Sequence, residues 1–191
     1  MSSIKLVHAP MNQRQKNPMK QTDIDAILVV HRLAFGEAEG AEIAQLAKDF
    51  LNLPNTITIS AERDGKIAGN VLFTPFVFKD CPDKKCYLLA PCGVSPKYQG
   101  RGVGKEIMET SISHLKSIGT DAVFVLGVPT FYPRYGFAQT DKQTPYPELL
   151  TMPEAWMALE LSPGTVEKLS GQTTAVSPFM QSHWWDTSGR G

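Results

Sequence analysis

The sequence predicts an α/β fold of the α+β kind, built on a mixed sheet. Three observations carry this. Two helical patterns come early, with Ile24, Ile27, Leu28, His31 and Phe35 on one face of the first and Ile43, Leu46, Ala47, Phe50 and Leu51 striping the second. The period then shortens to that of strands on both sides of an Asp64-Gly65 hairpin signal. Finally, Cys86 to Gly127 reads as strand, glycine-rich loop, helix and strand, which is expected to form a right-handed parallel crossover.

The elements follow in order. Ile4 to His8 is a short apolar segment and a candidate first strand. Residues 10–21 are polar, contain Pro10 and Pro18, and read as a linker. Thr22 with Asp25 reads as a capping box opening the first helix, and Gly36 as its end. Asn52 to Pro54 stops the second helix. Thr56 to Glu62 alternates as a half-buried strand would, and Lys66 to Phe78 returns as a long strand. After a loop at Asp80 to Lys85, Cys86 to Val94 is almost wholly apolar, as expected in the middle of a sheet. The helix after the glycine loop turns Ile107, Met108, Leu115 and Ile118 inward and is capped by Gly119. Asp121 to Gly127 is a buried strand, Pro129 to Gly136 one or two helical turns, and Trp156 to Leu161 a later strand. The tail from Gln172 is weakly patterned. Three segments result: an N-terminal strand and linker over 1–21, a main domain over 22–172, and a tail over 173–191 that packs on or extends it.

Composition narrows the function classes. With 191 residues the chain is one domain of ordinary size and needs no staple. Lys plus Arg and Asp plus Glu are 19 each, so the broad basic surface of a nucleic-acid-coating protein is not expected. Cys81, Cys86 and Cys92 are odd in number and form no CxxC, which argues against a disulfide framework and a zinc site; no metal is expected. MSSIKLVHAP lacks the apolar core of a signal peptide, and no run approaches a membrane span. A cytoplasmic protein without membrane or nucleic-acid partners is the expectation.

The stretch that carries chemistry is Leu89 to Gly104, LAPCGVSPKYQGRGVG. Gly100, Gly102 and Gly104 stand between a buried strand and a helix. Glycine leaves room for a ligand against bare backbone, and a helix N-terminus presents unpaired amides and the positive end of its dipole. Lys97, Arg101 and Lys105 add positive charge, so a phosphate group is the expected occupant. A dinucleotide fingerprint is the rival, with Asp121 near the distance of a ribose-binding acid. Yet the spacing is GxGxG, set off from the strand by Ser95 to Gln99, and Asp121 begins its strand where a ribose-binding acid would end one.

Val94-x-Pro96-x-x-Gln99-Gly100-x-Gly102-x-Gly104 resembles motif A of the GNAT acyl-CoA-dependent N-acetyltransferases. Phe131-Tyr132-Pro133-Arg134-Tyr135-Gly136-Phe137 resembles their later aromatic Y-x-x-x-G-F motif, and both fall in the expected order. The text around them, over about residues 22 to 172, is similar to the YhbS-like subgroup of bacterial acetyltransferases. The resemblance implies a mixed, mostly antiparallel sheet flanked by helices and splayed at its centre, with acetyl-CoA as co-substrate in the opening. It implies that Cys92, Gly93 and Val94 meet the pantetheine and thioester through their backbones. Gln99, Gly100, Arg101, Gly102, Val103 and Gly104 would hold the pyrophosphate through amides.

Acyl transfer to an amine poses two proton problems. A lysine-like amine of pKa ~10.4 must lose a proton, at a cost of roughly 4–5 kcal/mol at pH 7, and the leaving thiolate gains from a donor. Tyr132 occupies the family's tyrosine position and is the expected general acid. The base is not assigned. Cys86 to Val94 holds no carboxylate; Glu37, Glu39, Glu42 and Glu62 read as solvated charges, His31 as a core histidine and His114 as structural. Cys92 reads as a small buried residue and not a nucleophile. Phe179, Trp184 and Trp185 either line an acceptor pocket or cover the core. The expected function is transfer of acetyl from acetyl-CoA to a primary amine of a small molecule or peptide by direct attack. A non-catalytic acyl-CoA-binding domain is the alternative. Oligomeric state is not fixed; a homodimer is the commonest soluble form.

Overall fold

The computed structural model describes residues 2–8 and 19–188, so most of the sequence-predicted linker lies outside the described residues. The strands are β1 (Ser2–His8), β2 (Ile57–Arg63), β3 (Lys66–Phe78), β4 (Cys86–Val94), β5 (Ala122–Leu126), β6 (Ala138–Gln139), β7 (Trp156–Glu160) and β8 (Thr173–Thr174). The helices are α1 (Gln21–Ala34), α2 (Gly36–Leu51), α3 (Val103–Ser117) and the single turn α4 (Thr165–Lys168). Among the described residues the strands join in the order β1-β2-β3-β4-β5-β7-β6, with β8 on β3. The β4/β5 pair is parallel; β1/β2, β2/β3, β3/β8, β5/β7 and β6/β7 are antiparallel. The β4/β5 register covers only Cys86 to Leu88 against Ala122 to Phe124, although β4 runs on to Val94. The mixed, mostly antiparallel and open sheet matches the expected fold class.

The chain divides into two compact units, Met1–Thr74 with Ala90–Ser113, and Pro75–Leu89 with His114–Gly191. In the first, Ile27, Val30 and His31 of α1 and Leu46, Ala47, Phe50 and Leu51 of α2 are buried. Fully burying an aliphatic or aromatic side chain contributes roughly 1.5–3 kcal/mol, so these stripes fix which faces turn inward. Two local expectations fail here. Thr22 does not cap α1: the helix starts one residue earlier, and Gln21 Nε2 donates to Asp25 Oδ1 at 2.8 Å, occupying the carboxylate that a capping box needs. Nor does β2 alternate. Ile57 to Ala61 are all buried, Thr58 and Ser60 included, because a buried amide on β3 bonds both hydroxyls. The hairpin forms as expected, with Asp64 and Gly65 both at positive φ, 53° and 71°.

The second unit is held by aromatic rings. Phe76, Phe78, Phe124, Trp156 and Trp185 make one cluster with centroid separations of 5.1 to 6.3 Å. The indole N–H groups of Trp156 and Trp185 each find a carbonyl: Trp156 Nε1 donates to Lys142 O and Trp185 Nε1 to Phe179 O, both at 2.7 Å. The weakly patterned tail thus supplies a core residue. Its end is clasped by Thr187, whose Oγ1 accepts from the amides of Thr151 at 2.7 Å and Met152 at 3.0 Å. Among the described residues no helix is long and apolar enough to cross a membrane.

Trp185→Ala leaves a large cavity and strands the Phe179 carbonyl. It should cost about 3–5 kcal/mol of stability in chemical denaturation. A loss below about 1 kcal/mol would show that the tail only lies on the surface.

Candidate active site

The site begins where β4 ends. Ser95 N donates to Ala68 O at 2.9 Å, so the chain leaves β4 still tied to β3. Pro96 to Tyr98 form one 3-10 turn, closed by Tyr98 N on Ser95 O at 2.8 Å. Tyr98 is buried, with Lys97 Nζ 5.2 Å from its ring centre. Gln99 folds back: its Nε2 donates to Val94 O at 3.0 Å, and its own amide donates to Pro96 O at 3.4 Å. The side chain therefore braces the loop, a role the sequence did not disclose.

Gly100 and Gly102 then take φ of +70° and +78°, and a Cβ on either would meet nothing within 4 Å. Backbone is thus exposed beside open space. Glu106 N donates to Gly102 O at 3.0 Å, the first bond of α3. The amides of Val103, Gly104 and Lys105 precede any helical carbonyl they could reach. Lys97, Arg101 and Lys105 are exposed around this end. Glu106 would oppose an anion here, but it is ion-paired with Arg63 of β2, an arrangement not visible in the sequence.

The seat of α3 depends on Gly69 of β3. A Cβ there would lie 2.7 Å from Ile107 Cδ1, 2.8 Å from Val103 Cγ1 and 3.2 Å from Gly93 O. The next residue, Asn70, points to the other face of the strand. It is fully buried, and its Nδ2 donates to Thr58 Oγ1 at 2.8 Å, Ser60 Oγ at 2.9 Å and Ile59 O at 3.1 Å. Its Oδ1 lies 2.8 Å from His31 Nε2. His31 is 0% exposed, and desolvation lowers its pKa from 6.5 to about 4 against the raising effect of the Asn70 bond. The imidazole is neutral at pH 7. As expected it is a core histidine, satisfied on one nitrogen; Nδ1 is buried with no hydrogen-bond partner.

Cys92 is partly accessible, yet burial pushes its thiol up to about 12, which leaves it protonated and a poor nucleophile. Glu37, Glu39 and Glu42 are exposed, and Glu62 accepts from Ser3 Oγ at 3.0 Å, in keeping with their reading as surface charges. Asp121 is not a ribose ligand. Its Oδ2 accepts from Lys85 N at 2.9 Å while its amide donates to Lys85 O at 2.8 Å, which ties the starts of β4 and β5.

In the second unit, Tyr132 opens a 3-10 turn over Tyr132–Tyr135, the short helical segment expected there. Its ring is buried, edge-on to Phe131 at 5.1 Å and to Phe137 at 5.5 Å. Any side chain at Gly127 would overlap it. Cys92, Gly93, Val94 and Gln99 to Gly104 lie together in the first unit, and Tyr132 belongs to the second.

A sheet with one parallel pair, and a glycine loop feeding an amide-bearing helix end, define an acyltransferase of one known class. Residues 24–137 match the model of the acetyltransferase (GNAT) family, and the chain belongs to that family. It is 37% identical over 148 residues to the protein named Uncharacterized N-acetyltransferase YjhQ of Escherichia coli K12, covering 74% of this chain and 81% of the relative. The E. coli K12 protein named Uncharacterized N-acetyltransferase YhbS is 31% identical over 125 residues, 65% of this chain and 71% of its own. The crystal structure of E. coli YhbS in complex with CoA superposes with a TM-score of 0.74 at 21% identity, covering 94% of this chain and 92% of that one. A GNAT family acetyltransferase from Brucella melitensis in complex with acetyl-CoA gives 0.66 at 21% identity, covering 94% and 98%. Both confirm the fold.

The buried imidazole makes a pH prediction. Its folded-state pKa of about 4 lies below the unfolded value, so the unfolded chain takes up the proton first. Its contribution is complete above about pH 6.5 and fades as the pH falls toward about 4, by up to roughly 3 kcal/mol. Urea denaturation of the parent and of His31→Gln across that window should show the parent losing the advantage. Parallel curves would mean that His31 does not titrate on unfolding.

Proposed function

We propose that this enzyme moves an acetyl group from acetyl-CoA to a primary amine of a small molecule or peptide, by direct attack on the thioester. The observation that carries the reading is the N-terminal end of α3, where Gly100 and Gly102 leave backbone open beside the helix amides. These residues suit a pyrophosphate: the donors are fixed, no side chain fills the space, and Arg63 neutralises the nearby carboxylate of Glu106. A charge at a helix terminus contributes about 0.3–1 kcal/mol, up to ~2 when partly buried, so several amides must act with contacts along the rest of the ligand.

The roles within the chain follow. Gly100 to Gly104 and the first amides of α3 bind the phosphates. Lys97, Arg101 and Lys105 attract them and suit a further ribose phosphate. The backbone of Cys92, Gly93 and Val94 holds the pantetheine and acyl end, and one of its amides stabilises the developing oxyanion. The Tyr132 hydroxyl gives its proton to the departing thiolate. With the Cys92 thiol protonated, the acyl group passes to the amine without an enzyme-bound intermediate. The cytoplasm suits this reading, as its reducing poise keeps the three free cysteines as thiols.

Two variants test the roles. Gly102→Val fills space that is open in the free protein and forces a branched residue to φ +78°. CoA affinity by calorimetry should fall at least about tenfold, with a folding cost of about 1–3 kcal/mol from the strained φ. Unchanged affinity would remove the loop from the site. Tyr132→Phe keeps the ring in its place against Gly127 and deletes the hydroxyl. With acetyl-CoA and a panel of amines, kcat should drop by about 10²–10⁴ while CoA affinity holds. A weaker CoA affinity with kcat preserved would make Tyr132 a binding residue. CoA binding without thioester cleavage by any amine would favour the acyl-CoA-binding alternative.

A further inference from the structure

We propose that His31 is a positioning residue for acyl transfer: its imidazole, braced by Asn70, fixes the place of Gly93 and so of the β4 end that meets the acyl thioester. The proposal rests on the acyl-CoA reading above. The bracing follows from donor and acceptor chemistry. The Ile59 carbonyl can only accept, so the Asn70 amide nitrogen faces β2 and its oxygen faces His31. Nε2 must then carry the ring proton, which leaves Nδ1 as a bare lone pair. Two N–H groups shared among three acceptors hold that amide in place, and it holds the ring in one tautomer.

The bare nitrogen faces the strand. A Cβ built on Gly93 would lie 3.0 Å from His31 Nδ1 and 3.0 Å from Ala34 Cβ. Any side chain at residue 93 would press on the imidazole, and a proton on Nδ1 would point into the backbone. Gly93 is itself buried, so it has no solvent side to retreat to. Its carbonyl also borders the bare backbone of Gly69, under α3. The end of β4 is thus gauged from one side by a ring of fixed tautomer. An apolar side chain would fill the same volume without that lock. Placement matters because a shift of about 1 Å at a reacting group can cost on the order of 10²-fold in rate.

Two probes separate this role from general stabilisation. Acetyl-CoA reaches both the phosphate loop and the β4 end. Adenosine 3′-phosphate 5′-diphosphate carries the phosphates without the pantetheine arm. In calorimetry, His31→Gln and Gly93→Ala should each weaken acetyl-CoA binding about tenfold and leave the phosphate probe unchanged. Equal losses for both probes, or no loss for either, would overturn the proposal. A parent protein that binds neither probe would overturn the acyl-CoA reading as well. Nitrogen NMR of the parent gives a check that no variant's folding can confuse. Nε2 should be protonated and Nδ1 bare from about pH 5 to 8, and the Gly93 amide should shift with acetyl-CoA but not with the phosphate probe. A proton on Nδ1, or a Gly93 amide indifferent to acetyl-CoA, would sink it.

Discussion

The first unit depends on how closely two helices approach the bare backbone of two adjacent strands. At Gly69 the α3 side chains Val103 and Ile107 come so near that a methyl group would overlap them. At Gly93 the imidazole of His31 and the methyl of Ala34 take the space that a Cβ would claim. Gly69 and Asn70 point to opposite faces of β3, so α3 seats on one face of the strand and α1 bonds to the other. Glycine lowers strand stability through its entropy and lack of side-chain packing. Here that loss is offset by what it admits, a helix end lowered onto the sheet where its first amides stay open.

The same region carries its polarity inside. Thr58, Ser60, Asn70 and His31 are buried on elements whose neighbours are apolar. A buried polar group without a partner costs about 1–3 kcal/mol, so such a group must be satisfied or serve a purpose. Asn70 bonds four partners with one side chain, and His31 Nδ1 is left without one, as are the hydroxyls of Thr56 and Thr74. The second unit solves the same problem differently. The N–H groups of its buried indoles Trp156 and Trp185 each reach a backbone carbonyl, and the buried hydroxyls of Thr173 and Thr187 bond backbone carbonyls as well. The first unit is therefore held to one geometry by directional bonds, and the second mostly by ring packing.

The legible parts of the chain were those set by local chemistry. The span of β3 between Asp64-Gly65 and the loop at Asp80, the whole of β4, and the start of α3 after Gly102 followed from periodicity and glycine punctuation. The glycine loop and its turn into α3 were legible for the same reason. Pairings distant in sequence were not. His31 and Asn70 are 39 residues apart, Arg63 and Glu106 are 43, and nothing in either local pattern names its partner. β2 shows how this misleads: Thr58 and Ser60 alternate with apolar residues as on a half-exposed strand, yet both turn to a buried amide. The one available signal was Gly69-Asn70 inside an apolar strand, a pair that weakens a strand unless another backbone and a buried network require it. The tail was obscure because its structure is largely nonlocal too: β8 is two residues long, and Trp185, beside Phe179 of the tail, packs on Phe76 of β3 and Trp156 of β7.

Net charge was the least informative quantity. Equal numbers of acidic and basic residues describe a chain with no overall attraction for anions, and yet an open helix end ringed by the exposed Lys97, Arg101 and Lys105 forms. The reason is local. Glu106 is a carboxylate in the first turn of α3, the position where its charge favours the helix and opposes a phosphate. Arg63, on the far side of the hairpin turn from β3, reaches it and removes the opposition while leaving the favourable field of the peptide dipoles intact. The nearby pair Lys105 and Glu109, 3.8 Å apart and well exposed, does no comparable work, because water screens both members. On the acyl-CoA reading proposed above, selectivity for a phosphate lies in the number and direction of fixed amides. That number is set by how far α3 descends toward β3, and hence by the absence of a side chain at Gly69.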